Sequence, residues 1–306
     1  MTETVGFIGL GRMGRGMASN LRRKGFELVV FDIDPKPVEA LVALGARAAA
    51  SVAELAPQCT VVATMLPAAR EVTDTLFGPD GVVALARPDT LLLEMSTVDP
   101  ETTDRVHEAA AARGLRAVDA PVGRLAVHAD RGESLFMVGA SDADLARVRP
   151  LLEAMGTTIH HCGPAGSGTR AKLVNNLLAI VSCQLNAEAL ALAQRFGLDI
   201  TRVLDVLYGT TATNGQLRIN WPNKVLAGDT EPGFSIDLAH KDLSLIVQAA
   251  NAARVPLPVT AAARECFSAA RARGYGSQDF SAMVDALCDA AQVARARTPA
   301  GWKPPA

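Results

Sequence analysis

Three polar side chains lie close together along one stretch of predicted helix. Lys172, Asn175 and Asn176 are spaced by three and four residues, so an α-helix places them on one face. Asparagine is unfavourable inside a helix because its amide competes for backbone hydrogen bonds, and a pair of them predicts a requirement other than helix propensity. A lysine near a cleft can donate the proton that carbonyl reduction requires, if desolvation lowers its pKa from about 10.4 toward roughly 7–8. On spacing alone, a solvated lysine in the first helical turn is the favoured alternative.

A glycine-rich turn near the N-terminus predicts a dinucleotide site. Gly9, Gly11 and Gly14 follow the first predicted strand and open the first predicted helix. In this arrangement the first glycine makes the tight turn, the second lets the backbone approach a pyrophosphate, and the third allows close helix–strand packing. Arg12 and Met13 complete the loop, and the helix N-terminus attracts the phosphates. Because turns use glycine anyway, the triplet alone leaves an ordinary turn as the alternative.

An acidic residue at the end of the second predicted strand indicates which dinucleotide binds. Asp32 lies 18 residues after Gly14, where a carboxylate can accept a hydrogen bond from the ribose 2′-hydroxyl. A 2′-phosphate would meet like charge there, and the next residue, Ile33, is not arginine. NAD is therefore favoured over NADP, although Lys36 is close enough to reach a phosphate. The alternative for Asp32 is a turn residue.

Two later strand ends complete the predicted cofactor site. Leu66 and Pro67 follow the third predicted strand, and Ser96 and Thr97 follow the fourth. Ligands of doubly wound sheets bind beyond the carboxyl ends of the strands. These four residues are therefore expected to line the adenosine and nicotinamide ends of the cofactor, with ordinary turn chemistry as the alternative.

Strand and helix patterns alternate through the first half of the chain. This alternation predicts an α/β fold, a Rossmann-type doubly wound sheet that is largely parallel and has helices on both faces. The predicted strands are Val5–Gly9, Glu27–Asp32, Thr60–Leu66, Thr90–Met95, Leu115–Pro121, Ser134–Val138 and Thr157–Cys162. The predicted helices between them are Gly14–Lys24, Lys36–Leu44, Glu101–Arg113 and Ala143–Met155.

Strand signals vanish after a Gly/Pro-rich turn at residues 163–168. One long apolar run, Thr169–Phe196, predicts a helix that joins the first domain to an all-α C-terminal domain. Further helices are predicted at Thr201–Tyr208, Leu238–Asn251, Pro258–Arg273 and Phe280–Val293. The predicted division is residues 1–164 as the NAD-binding domain, 165–196 as the interdomain helix, 197–297 as the substrate and dimerisation domain, and 298–306 as a proline-rich, disordered tail.

Composition restricts the class of protein and its partners. The 30 Lys+Arg against 32 Asp+Glu leave a net charge of −2, which argues against a nucleic-acid partner but permits a small anionic substrate. Five scattered cysteines show no ligand spacing, so neither a metal site nor a disulfide framework is expected. The N-terminus does not resemble a signal peptide and the apolar stretches are expected to fall short of a membrane span, which predicts a soluble cytoplasmic protein. The long apolar helix predicts a homodimer or homotetramer.

The motifs together resemble one enzyme family, the β-hydroxyacid dehydrogenases, across about residues 5 to 290. The resemblance implies that Lys172 is the catalytic acid/base, that Asn176 assists it, and that Ser96, Thr97 and Lys241 lie beside the nicotinamide. This favours the proton donor over the solvated lysine. The six motifs are Gly6-Phe-Ile-Gly-Leu-Gly-Arg-Met-Gly14, Met17-Ala-Ser-Asn-Leu21, Met95-Ser-Thr-Val-Asp-Pro100, Asp119-Ala-Pro-Val122, Lys172-Leu-Val-Asn-Asn176 and His240-Lys-Asp-Leu243.

One departure from the family pattern concerns the substrate. The family usually continues Asp-Ala-Pro-Val with Ser-Gly-Gly, whereas this chain has Gly123 and Arg124. That form resembles the 3-sulfolactaldehyde reductase branch, in which an arginine at this position grips a sulfonate. A planar guanidinium offers forked donors to such an anion, and the Gly123 amide and Asn175 are expected to help. A surface arginine is the alternative, and Ala179 stands where the branch has a serine.

The expected activity is NAD-dependent interconversion of a short anionic aldehyde and its primary alcohol. The preferred substrate is expected to carry a sulfonate group, with 3-sulfolactaldehyde as the aldehyde and 2,3-dihydroxypropane-1-sulfonate as the alcohol. Because guanidinium accepts either anion, 3-hydroxyisobutyrate, tartronate semialdehyde and 4-hydroxybutyrate remain alternatives. An imine reductase usually lacks a lysine acid and a nucleotide sensor needs no proton donor, so both are disfavoured. The histidines carry no predicted role, and His107 is expected to be an exposed helix residue.

Overall fold

A computed structural model describes residues 3–304 and divides the chain into two compact units, Met1–Lys172 and Leu173–Ala306. The first unit contains a nine-stranded sheet. Its strands are β1 Thr4–Ile8, β2 Glu27–Phe31, β3 Arg47–Ala48, β4 Val61–Thr64, β5 Leu91–Glu94, β6 Arg116–Asp119, β7 Val122–Gly123, β8 Ser134–Gly139 and β9 Gly156–Gly163. Its helices are α1 Gly14–Arg23, α2 Pro35–Ala43, α3 Val52–Leu55, α4 Ala69–Phe77, α5 Val82–Leu85, α6 Pro100–Ala112, α7 Ala126–Asp130 and α8 Asp142–Met155.

The sheet confirms the predicted doubly wound arrangement. Strands run in the order β3-β2-β1-β4-β5-β6, all parallel, so the strand order reverses between β1 and β4. Residues of both faces are buried, with Phe7 in one apolar cluster and Ile8 in the other, which explains why the strands read as continuous apolar runs. Strand β8 departs from the parallel pattern, since β6 and β7 both pair with it in antiparallel fashion.

The second unit is helical, as the loss of strand signals predicts. After α9, Ser167–Arg195, which begins in the first unit, come α10 Ile200–Tyr208, α11 Ile236–Ala252, α12 Pro258–Ala272 and α13 Met283–Ala291. A π-helical turn at Gln216–Asn220 and two 3₁₀ turns, Trp221–Asn223 and Val225–Ala227, connect α10 to α11. Trp221 is fully buried and anchors these turns in the apolar core.

Part of the C-terminal tail is ordered, in contrast to the expected disorder. The Thr298 amide donates to the Leu226 carbonyl at 2.9 Å. The Trp302 ring stacks on Tyr208 with their centroids 6.2 Å apart. The prolines prevent a helix but not these contacts, because an aromatic ring gains apolar burial without any regular backbone. Residues 305 and 306 lie outside the described residues.

Helix α9 has nearly the predicted length, but it is long and apolar enough to contradict one expectation from the sequence. Its 29 residues include an 18-residue window of mean hydropathy 1.4, enough by length and composition to cross a membrane, so the expectation of short apolar stretches was wrong. Within that window 56% is buried inside the protein itself. Core helices of soluble proteins share this property, so the helix alone is weak evidence for a membrane span.

The start of α9 packs unusually closely on the sheet of the first unit. A β-carbon on Gly168 would lie 2.2 Å from the Met137 carbonyl oxygen and 2.7 Å from the Asp119 carbonyl oxygen. A β-carbon on Gly139, in β8, would lie 2.7 Å from the Gly168 amide. The backbone at the start of α9 is therefore in direct contact with the backbone of β6 and β8, and only glycine permits such a close approach.

Substituting Gly168 with alanine tests this close packing. Glycine to alanine inside a helix normally stabilises by about 1 kcal/mol. Here the clash with two carbonyl oxygens should reverse the sign and lower the free energy of unfolding by about 1–3 kcal/mol, measured by urea denaturation. The control is Gly215→Ala, because no atom lies within 4 Å of its β-carbon position and its φ is −60°. A Gly168→Ala variant as stable as the wild type would contradict this account.

Candidate active site

The three glycines of the first turn have geometries that fit the three predicted roles. Gly9 has a φ of +92°, and a β-carbon on it would lie 2.4 Å from the Met65 carbonyl oxygen. A β-carbon on Gly14 would lie 2.0 Å from the Gly9 carbonyl oxygen. In contrast, the β-carbon position of Gly11 has no atom within 4 Å, which leaves room for a pyrophosphate to approach the backbone.

Helix α1 begins without a side-chain cap. Met13 occupies the N-cap position and makes no side-chain hydrogen bond, and the first turn contains no acidic residue. Arg12 is exposed beside it. The first amides of a helix need acceptors, and a phosphate group supplies them together with a charge that the helix dipole favours.

Asp32 lies next to this loop, at the end of β2. One carboxylate oxygen accepts from the Leu10 amide at 2.5 Å, and the other accepts from the Asp34 amide at 2.8 Å. The carboxylate therefore fixes the glycine loop to the strand. Each oxygen has a second lone pair, which fits the predicted contact with a ribose hydroxyl. Ile33 is 95% exposed and Lys36 is exposed beyond it.

A buried carboxyl and a buried hydroxyl join the ends of β4 and β5. The Ser96 hydroxyl accepts from the Leu66 amide at 2.9 Å, and the Ser96 amide donates to Glu94 Oε1 at 2.9 Å. Burial raises the pKa of the Glu94 carboxyl. Ser96 is fully buried and therefore acts by holding the two strand ends, whereas Thr97 is half-buried and Pro67 is exposed.

The Asp119 carboxylate binds the start of α9. Its oxygens accept from the Gly166 amide at 2.7 Å and the Thr169 amide at 2.8 Å. His107 Nε2 lies 3.0 Å from the same carboxylate. The expectation that His107 is an exposed helix residue was wrong, since its side chain is only 16% exposed. The motif containing Asp119 was recognised, but this role for its carboxylate was not predicted.

Lys172 lies just beyond this anchored start of α9. Its side chain is buried, with 9% of the residue exposed, and its Nζ donates to the Val122 carbonyl at 2.8 Å. A solvated lysine therefore does not describe this residue. Its ammonium group is partly desolvated and held by the segment that follows β6.

Within the second unit, Asn176 is oriented by a buried carboxylate. The Asn176 amide group donates to Asp242 at 2.7 Å and the Asn175 amide group donates to Asn176 at 3.0 Å. Lys241 Nζ lies 3.1 Å from the other Asp242 oxygen. No role was predicted for Asp242, although a signal existed: it lies three residues after the buried Ala239 and four before the buried Ile246, which places it on the buried face of α11.

Gly123 ends β7 and Arg124 follows it, directly after the Val122 carbonyl that binds Lys172. Gly123 is buried and Arg124 is exposed. Arg124 has a φ of +69°, a left-handed conformation that residues other than glycine rarely adopt. Its guanidinium donates three hydrogen bonds, one to the Glu133 carbonyl just before β8 and two to the hydroxyls of Thr157 and Thr158 in β9. Among residues 3–304, no group of three or more His, Cys, Asp or Glu residues is arranged to hold a metal ion.

Two family models match the chain. The model described as the NAD binding domain of 6-phosphogluconate dehydrogenase matches residues 4–163. The model described as NAD-binding of NADP-dependent 3-hydroxyisobutyrate dehydrogenase matches residues 166–287. The two models meet at the Gly/Pro-rich turn that precedes α9.

Similar proteins extend this result over nearly the whole chain. The 3-sulfolactaldehyde reductase of Escherichia coli strain K12 is 42% identical over 281 residues, which cover 92% of this chain and 94% of that one. The 2-(hydroxymethyl)glutarate dehydrogenase of Eubacterium barkeri is 36% identical, with 92% and 93% covered. The solved structure of Mycobacterium tuberculosis 3-hydroxyisobutyrate dehydrogenase with L-serine superposes with a TM-score of 0.85 at 34% identity, covering 94% and 99%.

The sheet, the glycine loop and these matches define an NAD-binding dehydrogenase that acts on CH–OH groups. The chain belongs to the β-hydroxyacid dehydrogenase family and is close to its 3-sulfolactaldehyde reductase branch.

Proposed function

We propose that this enzyme interconverts a short anionic aldehyde and its primary alcohol, with 3-sulfolactaldehyde and 2,3-dihydroxypropane-1-sulfonate as the preferred pair. The observation that carries the proposal is the 2.8 Å hydrogen bond from Lys172 Nζ to the Val122 carbonyl. It fixes a buried ammonium group to the chain segment that continues into Arg124. A proton donor and an anion-binding guanidinium therefore belong to one connected part of the first unit.

The mechanism assigns one task to each of these groups. NADH, when bound, supplies the hydride to the carbonyl carbon. Lys172 gives a proton to the carbonyl oxygen, so an aldehyde plus one hydride and one proton becomes the alcohol. Asn176, held by Asp242, assists this transfer, and Arg124 with the Gly123 amide holds the anionic group. Gly9, Gly11, Gly14, Asp32, Thr97 and Lys241 are proposed to bind the cofactor.

Cytoplasmic location is part of the same proposal. All five cysteines are free, which fits a reducing compartment where NADH is available. Subcellular fractionation of the native host, with the enzyme recovered outside the cytosolic fraction, would contradict it.

A substrate panel tests the anion class. We expect kcat/KM with 3-sulfolactaldehyde and NADH to exceed that with tartronate semialdehyde at least tenfold, because Arg124 replaces the backbone amides of the Ser-Gly-Gly sequence usual in the family. In the oxidation direction, 2,3-dihydroxypropane-1-sulfonate should likewise exceed 3-hydroxyisobutyrate and 4-hydroxybutyrate. A preference above about tenfold for any carboxylate would reject the sulfonate. Arg124→Ala should abolish the preference, and Arg131→Ala, which removes an exposed arginine nearby, should retain it.

Replacing Lys172 with alanine tests the proton donor. Loss of a general acid should lower kcat by roughly 10²- to 10⁴-fold, while NADH still binds, as measured by stopped-flow single turnover and by nicotinamide fluorescence. Lys24→Ala removes an exposed lysine of the same unit and serves as the control. Near-normal turnover in Lys172→Ala would rule out this assignment.

We also propose that the enzyme forms at least a dimer through the second unit. Five large apolar side chains lie exposed along one face of α9 and the residue that follows it. They are Val174, Leu178, Leu185, Leu192 and Phe196, each at least 53% exposed. A row of this kind on a soluble protein marks an interaction surface, and a second copy would bury it. Light scattering at micromolar concentration should give at least twice the 32.0 kDa chain mass. Leu185→Asp should reduce this mass, and a monomeric wild type would refute the proposal.

A further inference from the structure

The main chain at Arg124 is held in a conformation that its residue type disfavours. With a φ of +69° it occupies the left-handed region, which favours glycine. Such strain persists only when the surroundings over-determine it, and it is concentrated at functional sites. The contacts of the Arg124 side chain show what determines it here.

Three acceptors hold the Arg124 guanidinium across the ends of two strands. Nη1 donates to the Glu133 carbonyl at 2.6 Å and to the Thr157 hydroxyl at 3.0 Å. Nη2 donates to the Thr158 hydroxyl at 3.2 Å. Glu133 directly precedes β8, and the two threonines lie at the start of β9.

An irregularity in the sheet allows two successive threonines to face one guanidinium. Ser134 pairs with Gly156, but Leu135 pairs with Thr158, so Thr157 is an extra residue in β9. In a regular strand, successive side chains point to opposite faces, and their hydroxyls could not share one partner. A bulge re-aims a side chain and is frequent beside active sites.

Among the described residues, these contacts leave two N–H groups of the guanidinium available, one on Nε and one on Nη2. Arginine has five N–H donors, and the three acceptors use both of Nη1 and one of Nη2. Among the described residues, Nε of Arg124 has no hydrogen-bond partner. Nε and Nη2 form one edge of the fork, and Arg116 uses that same edge to bind both oxygens of Asp144 at 2.9 Å.

We propose that Thr157, Thr158 and the Glu133 carbonyl are a positioning device that presents the Nε–Nη2 edge of Arg124 to two oxygens of the substrate anion. The proposal rests on the proposed function, because it assumes that Arg124 binds the anionic group. The threonines do not touch the substrate. They select for anionic aldehydes by fixing the direction of the guanidinium.

The test compares an anionic aldehyde with a neutral one. Thr157→Val and Thr158→Val are combined, since valine keeps the shape and strand preference of threonine but removes the hydroxyl. We measure kcat and KM with 3-sulfolactaldehyde and with glyceraldehyde, and NADH binding by fluorescence. The KM for the anion should rise about tenfold with kcat nearly unchanged, as expected for lost hydrogen bonds to a charged group. Rates with glyceraldehyde should not change.

Two further variants separate positioning from a structural role. Thr157→Ser with Thr158→Ser keeps both hydroxyls and should restore the wild-type ratio of the two kcat/KM values. Adding both valines to Arg124→Ala should have no further effect on that ratio. If the double valine variant keeps the wild-type ratio of the two kcat/KM values, or loses activity equally with both aldehydes, this inference is wrong and the proposed function still stands. A wild type without any preference for anionic aldehydes overturns the proposed function as well.

Discussion

The Asp119 carboxylate fixes the start of α9, which belongs to the first unit, to the end of β6. The first amides of a helix have no partners within it, and here the amides of Gly166 and Thr169 both donate to this one buried side chain. The negative charge also faces the positive end of the helix dipole. Three residues further along the chain, the Val122 carbonyl accepts from Lys172. One short segment therefore binds the helix twice, through a side chain at its beginning and through the main chain at its end.

This double attachment has a chemical consequence because the segment continues into Arg124, the arginine proposed to bind the substrate anion. Lys172 is hydrogen-bonded to the Val122 carbonyl, and Arg124 follows Val122 by two residues. Few rotatable bonds therefore separate the Lys172 ammonium group from the main chain of Arg124. Proton transfer requires atoms placed to within a fraction of an ångström, and a misplacement of about 1 Å can cost about 10²-fold in rate. The glycines at positions 139 and 168 serve the same purpose, because they let the helix approach the strand closely enough for the carboxylate to reach its amides.

Features that are local in sequence could be predicted, and features that depend on distant partners could not. The glycine loop and Asp32 belong to one strand–helix–strand unit, so spacing alone located them. Asp119 and Asp242 were missed as structural anchors because their partners lie 47 to 66 residues away. The antiparallel pairing of β8 was missed because buried parallel and antiparallel strands have similar apolar runs. The bulge at Thr157 depends on the register with β8, which no pattern within β9 reveals.

Two carboxyl groups on neighbouring strands impose an electrostatic constraint on the same edge of the sheet. Glu94 pairs in register with Asp119, and both are buried. Burial raises the pKa of Glu94, and the negative charge of Asp119 raises it further against the hydrogen bonds from Ser96 and Thr64. Because the pKa of Glu94 is higher in the folded state than in the unfolded chain, its contribution to stability is lost as the pH rises through the folded-state pKa. Asp119 accepts from the amides at the start of α9, whereas Glu94 accepts from Ser96 and Thr64. The two neighbouring carboxyl groups therefore have separate partners: one anchors α9 and the other joins the strand ends.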